Sequence, residues 1–423
     1  MTNPSAASPR RWGLAICLLS LAMALWVLQR QLPLATLPAA IWQPDLSDLA
    51  QLKVHYSWLP RFCVALLCGA ALGLAGLLMQ QVLRNPLASP TTLGVASGAQ
   101  LALALATLYA PGLLIAGEWV ALAGGGLATL LVFALARRRG LSPLSLILAG
   151  LVISLLLGAL NVMLMLLQPM GLSAMFIWSA GSLSQNNWDA VLFLLPRLGL
   201  ALVLITLLVR PLSLLELDDS GARSLGLSLD RLRVVALALA VFMTACVVSS
   251  VGVIGFIGLA APTIARLMGA RTLRQRLVWT PLLGAALLLL TDQLVQGFAG
   301  RLSELLPTGG VTALLGAPLL LWLIPRLRLS TGRPQPSTQR TVSQPLGGHR
   351  LLPLMLLGLL LLAVVALLLG QGPQGWNWSL NPELLQWRLP RLLAALGAGL
   401  LLGLAGCLLQ RLTGNPMASP ELM

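Results

Sequence analysis

Residues 59–90 read LPRFCVALLCGAALGLAGLLMQQVLRNPLASP, and the pattern returns at 389–420 as LPRLLAALGAGLLLGLAGCLLQRLTGNPMASP, at a constant offset of 330. Eighteen of these 32 positions are identical, among them Arg61/Arg391, Gly73/Gly403, Gln80/Gln410 and Asn85-Pro86/Asn415-Pro416. Leucine-rich helices resemble one another through low complexity alone. A polar NPxASP turn recurring in register does not arise that way, so the chain carries an internal duplication. Each copy reads as an apolar helix running into an Asn-Pro turn.

Working outward, 57% of the 423 residues are hydrophobic and only 9% are charged. A soluble domain carries about 25% charged residues, so the chain reads as an all-α polytopic membrane bundle. Apolar runs of roughly 20 residues cross the hydrocarbon core. They fall near 13–29, 62–83, 92–110, 113–136, 143–167, 189–209, 234–252, 253–268 (short and broken), 279–298 and 311–325. The run after Arg10 and Arg11 lacks a small-residue cleavage site and reads as a retained first helix. A polar stretch rich in Pro, Gly, Ser and Gln occupies 328–350 and reads as a linker. Two more runs, 351–370 and 390–411, follow it. This gives a first unit over 1–327, a linker over 328–350 and the start of a second unit over 351–423.

With the N-terminus in the cytoplasm, alternation of the spans places 20 of the 27 Lys and Arg on that side. The remaining seven are Arg30, Lys53, Arg61, Arg197, Arg301, Arg388 and Arg391. That asymmetry explains the net charge of +15 by topology, without a nucleic-acid partner. Ten spans return the chain to the cytoplasm, so the second unit repeats the first in parallel. Cys17, Cys63, Cys68, Cys246 and Cys407 lie in apolar runs without ligand spacing and read as small hydrophobes.

Four features carry mechanism. The turn from Asn85 to Pro90 ends one helix and starts another, with Ser89 as a cap and Pro90 at the first helical position. The loop ELDDSGARSLGL (216–227) has capping residues at both ends and reads as a short helix, docked to another protein or lying on the membrane. The segment 251–271 holds Gly252, Gly255, Gly258 and Pro262, as expected of a broken membrane helix that is buried or lines a cavity. Asp292 is the one carboxylate well inside a span; without a basic partner it makes a poor proton relay, leaving a structural or pathway-polarity role. Gly69/Gly73 and Gly399/Gly403 are spaced for close helix packing.

The single lysine, Lys53, excludes a GxxxxGK[ST] phosphate loop, so the chain does not itself hydrolyse ATP. His55 and His349 lie far apart, and no nucleophile–base pair or metal cluster is visible. Neither enzymatic activity nor a cofactor is expected.

Taken together, LPR (59–61), RNPLASPTTLGVASGAQ (84–100), LILAGLVIS (146–154), GARSLGL (221–227), IGFIGLAAPTIAR (254–266) and GGVTALLGAPLLLWLI (309–324) resemble permease subunits of the iron-siderophore/vitamin B12 family of bacterial ABC importers. Thr263 departs from the histidine common there. The duplication is similar to the fused, iron(III)-hydroxamate (ferrichrome-type) form. Doubling the offset implies a full length of about 660 residues, so this chain is expected to lack most of its second half.

The resemblance implies an inner-membrane subunit that works with ATP-binding cassette ATPases and a periplasmic siderophore-binding protein. Its cargo would be a ferric siderophore, with other siderophores, haem or cobalamin as alternatives. It implies docking of the binding protein on Arg61, Arg301, Arg388 and Arg391. It implies ATPase coupling through Gly221, Ala222, Arg223 and Gly226, and a cytoplasmic gate at Asn85 and Leu87. A stand-alone secondary transporter is the rival reading. It requires titratable groups at mid-membrane, where the sequence offers only Asp292 as a pathway candidate, and often inverted rather than parallel repeats.

Overall fold

A computed structural model describes residues 9–86, 88–137, 143–214, 229–298, 306–323, 348–372, 375–379 and 381–413. The chain divides into two compact units, Met1–Leu329 and Ser330–Met423. In the first, the main helices are α1 (Pro9–Gln29), α2 (Leu59–Leu83), α3 (Val95–Tyr109), α4 (Gly117–Arg137) and α5 (Pro143–Leu167). They continue with α6 (Asp189–Leu207), α7 (Leu229–Val251), α8 (Ile257–Leu267), α9 (Leu273–Phe298) and α10 (Thr308–Leu323). Each expected run of this unit is therefore a helix. Among the described residues of the whole chain, eight helices are long and apolar enough to cross a membrane.

The unit is built around α2. Its residues are apolar on every side, and a helix of that kind is stable only when surrounded. Nineteen of its 25 residues are buried. Small residues let neighbours come within backbone contact. A Cβ on Gly69 would lie 2.4 Å from the Gly284 carbonyl of α9, and one on Gly76 only 1.6 Å from the Gly258 carbonyl of α8. The pairs Gly69–Gly284 and Arg61–Asp292 show that α2 and α9 run antiparallel. By contrast, α1 runs parallel to α9, with Gly13 against Trp279 and Trp26 against Phe298. Both directions follow the expected alternation of spans.

The helical stretch around α2 extends back to Leu49. Pro60 lacks the N–H that would bond one turn back, and just ahead of it the backbone widens into a π-helical turn over Val54–Trp58. Residues 1–8 and 324–347 lie outside the described residues; of the expected linker 328–350, Gly348–Arg350 belong to the helix that opens the second unit.

The second unit contains α11 (Gly348–Leu368), a hairpin of β1 (Leu369–Gly372) with β2 (Gly375–Trp378), and α12 (Pro382–Thr413). Leu369 pairs with Trp378 and Gly372 with Gly375. The hairpin is the one departure from an all-α chain among the described residues. The sequence reading expected no strand there.

Candidate functional site

Two polar layers and one irregular backbone crossing interrupt the apolar interior of the first unit. At the start of α2, Arg61 faces Asp292 of α9. Its Nε donates to both carboxylate oxygens at 3.0 Å, and its Nη2 donates to Oδ1 at 2.6 Å. Gln296 Nε2 donates to Oδ2 at 2.7 Å, and the hydroxyl of Thr308, the first residue of α10, donates to Oδ1 at 3.2 Å. One carboxylate thus ties together α2, α9 and α10. Desolvating two charges is expensive, and the extra donors and bidentate geometry are what offset that cost.

This arrangement corrects two expectations. Arg61 does not present itself to an outside partner: its side chain is 8% exposed and that of Asp292 0%. Nor is Asp292 without a basic partner. The antiparallel packing of α2 and α9 brings together residues 231 positions apart, a proximity no local spacing encodes. Of Asp292's two expected roles, this geometry favours the structural one.

The second layer lies at the other end of α2. Arg266 donates to Gln80 Oε1 at 2.7 Å, Gln80 donates to the Leu259 carbonyl at 3.4 Å, and Arg276 donates to Gln81 Oε1 at 3.3 Å. Nineteen residues of helix separate Arg61 from Gln80, a rise of about 28 Å. That nearly equals the ~30 Å hydrocarbon core. The two polar layers therefore bracket an apolar slab of membrane thickness, and Asp292 lies near its edge rather than its middle.

Beyond Gln80, α2 ends at Arg84 in a left-handed conformation, φ 47°. The Ala88 N–H bonds the Asn85 carbonyl at 3.1 Å, forming the expected turn. Pro90 starts a short 3-10 helix as its first residue; Ser89 is extended at the cap position, but its side chain makes no capping bond. Leu87 lies outside the described residues, as do Gly221, Ala222, Arg223, Gly226 and Arg301.

Between the layers, the segment after α7 is non-helical from 252 to 256, where the glycines of 251–271 led us to expect a break. The following α8 has 11 residues, a rise of about 16 Å, enough for half the membrane. Backbone hydrogen bonds hold the break: Ser182 N–H bonds the Val251 carbonyl and Gly309 N–H bonds the Gly181 carbonyl, both at 2.9 Å. Gly252 adopts φ 74°, and a Cβ there would lie 2.0 Å from the Trp178 carbonyl. Phe256 adopts φ 66°, a conformation costing about 1–3 kcal/mol in a non-glycine residue. Its ring occupies the space that a side chain on Gly316 of α10 would need. Irregular backbone at membrane depth persists only where protein or a cavity surrounds it.

The sequence reading missed Gln296, Thr308, Gly181 and Gly309. The available signal was the Thr-Gly-Gly start of α10.

In the second unit, Arg388 donates to the Leu367 and Ser379 carbonyls at 2.7 and 3.3 Å, fastening α12 to α11 and the hairpin. Arg391 is exposed.

The first unit is thus a bundle of apolar helices with a buried central helix, a half-length helix after a break, and polar layers at both ends of the central helix. The chain belongs to the FecCD transport family, whose pattern it matches over residues 16–326 and again over 351–423. It is 49% identical over 399 residues to the iron(3+)-hydroxamate import system permease protein FhuB of Salmonella typhimurium, a match covering 93% of this chain and 58% of that protein. With the FhuB of Escherichia coli it shares 48% over 398 residues, 93% of this chain and 60% of the relative. It is 40% identical over 273 residues to the Fe(3+) dicitrate transport system permease protein FecC of Escherichia coli, covering 63% and 81% of the two chains. The chain thus spans about three fifths of the length of its FhuB relatives. Among solved structures, it matches one described as an inward-facing metal-chelate type ABC transporter, with TM-score 0.63, 30% identity, and coverage of 76% of this chain and 100% of that one.

Proposed function

We propose that this chain is the membrane-spanning permease of an ATP-driven importer that brings ferric hydroxamate siderophores into the cytoplasm. The observation that carries this reading is the 49% identity, across 93% of the chain, to a permease named for iron(3+)-hydroxamate import. On this reading the protein lies in the bacterial inner membrane with its N-terminus in the cytoplasm. Hydrolysis of ATP belongs to separate ATPase subunits, since the chain's one lysine rules out a phosphate-binding lysine loop.

The units 1–327 and 351–423, joined by the linker 328–350, are then parallel repeats. Gly221, Ala222, Arg223 and Gly226 form the element that docks into the ATPase, and Asn85 and Leu87 stand at the cytoplasmic gate. Contact with the siderophore-binding protein falls to Arg301, Arg388 and Arg391. Arg61, engaged by Asp292, joins α2 to α9 and α10.

The 40% relative named for dicitrate supplies the competing cargo. The test is to express the gene encoding this chain in cells that lack their own hydroxamate permease and measure radiolabelled iron uptake. Restored uptake from a ferric hydroxamate, with none from ferric dicitrate, is expected. Uptake from dicitrate alone, or equally from both, would refute the cargo assignment.

A further inference from the structure

An open groove of about 720 Å³ runs between α4 and α7 on the first unit. That is the volume of a ligand site rather than of a packing defect. Its walls are apolar, with Leu130 and Phe133 on one side and Val241 and Phe242 on the other. Along α4 it extends from Leu122 to Arg137, a rise of about 22 Å. One leaflet with its headgroup region is about 20–22 Å deep, half of the 40–45 Å bilayer.

The two ends of the groove differ. One turn beyond Leu122, Trp119 packs edge-on against Phe193 of α6 at 5.7 Å, and the Arg197 guanidinium lies over both rings at 4.5 and 3.8 Å. This cluster joins α4 to α6 just past the groove. At the other end, Arg137 lines the groove and is exposed in the last turn of α4, with Arg231 exposed in the first turn of α7. Among the described residues the one ion pair is Arg61–Asp292, and Arg137 pairs with none of their carboxylates. An apolar slot one leaflet deep with a cation at its mouth has the chemistry of an acyl chain ending in a phosphate. The arginine at the mouth favours a headgroup of net negative charge, because a zwitterionic headgroup brings its own ammonium to the same place. A second copy of this chain would set its own arginine against it.

We propose that this groove binds an anionic phospholipid, with one acyl chain along α4 and α7 and its phosphodiester on Arg137. The test uses the purified chain, delipidated in neutral detergent and then offered phosphatidylglycerol or phosphatidylcholine of identical acyl chains, with bound lipid read by native mass spectrometry. Phosphatidylglycerol is expected to be retained preferentially, and Arg137→Gln to reduce its retention about fivefold. Open space lies beyond Gly126, where a Cβ would meet nothing within 4 Å, so Gly126→Leu fills the groove without disturbing helix packing. It should remove both lipids while leaving the thermal midpoint unchanged. Equal retention of the two lipids, undiminished preference in Arg137→Gln, or undiminished binding in a folded Gly126→Leu would overturn the proposal. So would efficient cross-linking of two copies through Leu130→Cys, which would assign the groove to a second chain.

Discussion

α2 and α12 carry the same sequence motif, and the helices each finds around it in its own unit differ. In α2, 19 of 25 residues are buried, Gly69 lies against Gly284, and Arg61 is held by a carboxylate. In α12 none of the 32 residues is buried, a Cβ on Gly399 or Gly403 would meet nothing within 4 Å, and Arg391 is exposed. A stripe of small residues therefore states a requirement for close neighbours without supplying them. What turns the motif into a core is α9 and α8 laid against it, and its energetic weight depends on those partners.

The largest contrast concerns the charges. Asp292→Ala leaves Arg61 buried without its acceptor and is expected to cost about 3–5 kcal/mol, read as a lowered unfolding midpoint in detergent micelles. Replacing both residues together, Arg61→Met with Asp292→Leu, should recover most of that loss. Arg391→Ala should stay within about 0.5 kcal/mol. Equal effects of Asp292→Ala and Arg391→Ala would show that the two copies are not distinguished by their partners.

Packing comes next. Gly69→Val forces a methyl group into the α9 backbone and should cost about 1–3 kcal/mol, whereas Gly399→Val should be silent in the same measurement. A destabilising Gly399→Val would reveal a neighbour for α12. Smallest is Thr308→Val, which removes one donor from Asp292 for about 1 kcal/mol. Hydrogen exchange should register it as faster opening of the first turn of α10; exchange unchanged there would mean that Thr308 contributes nothing to holding that helix.

Much of the architecture was legible because membrane spans are written in consecutive residues. The helices from 13–29 through 390–411 follow from run length, and the break after Val251 from the density of glycine. Of the residues read as opposing a continuous helix, Gly252 and Gly255 lie in the break, whereas Gly258 and Pro262 lie within α8. The Arg61–Asp292 pair was not readable, because it arises from helix order in space. An arginine at the head of a helix looks identical whether it meets solvent or a carboxylate 231 residues away. The junction of Gly181, Gly252 and Gly309 escaped for a related reason: its bonds are made by backbone, which leaves no side-chain signature beyond the glycines themselves.

The buried ion pair also has a consequence in time. Arg61 leaves the ribosome 231 residues before Asp292. At about 5–20 residues per second, the interval is roughly 10–50 seconds. Through that interval α2 must enter the bilayer with its guanidinium reaching back towards the headgroups, an accommodation open to it because Arg61 stands at the head of the helix. Only when α9 arrives can the charge be drawn inward and α10 fastened over it. The arginine that heads α2 thus waits for a helix made 231 residues later before its charge is matched.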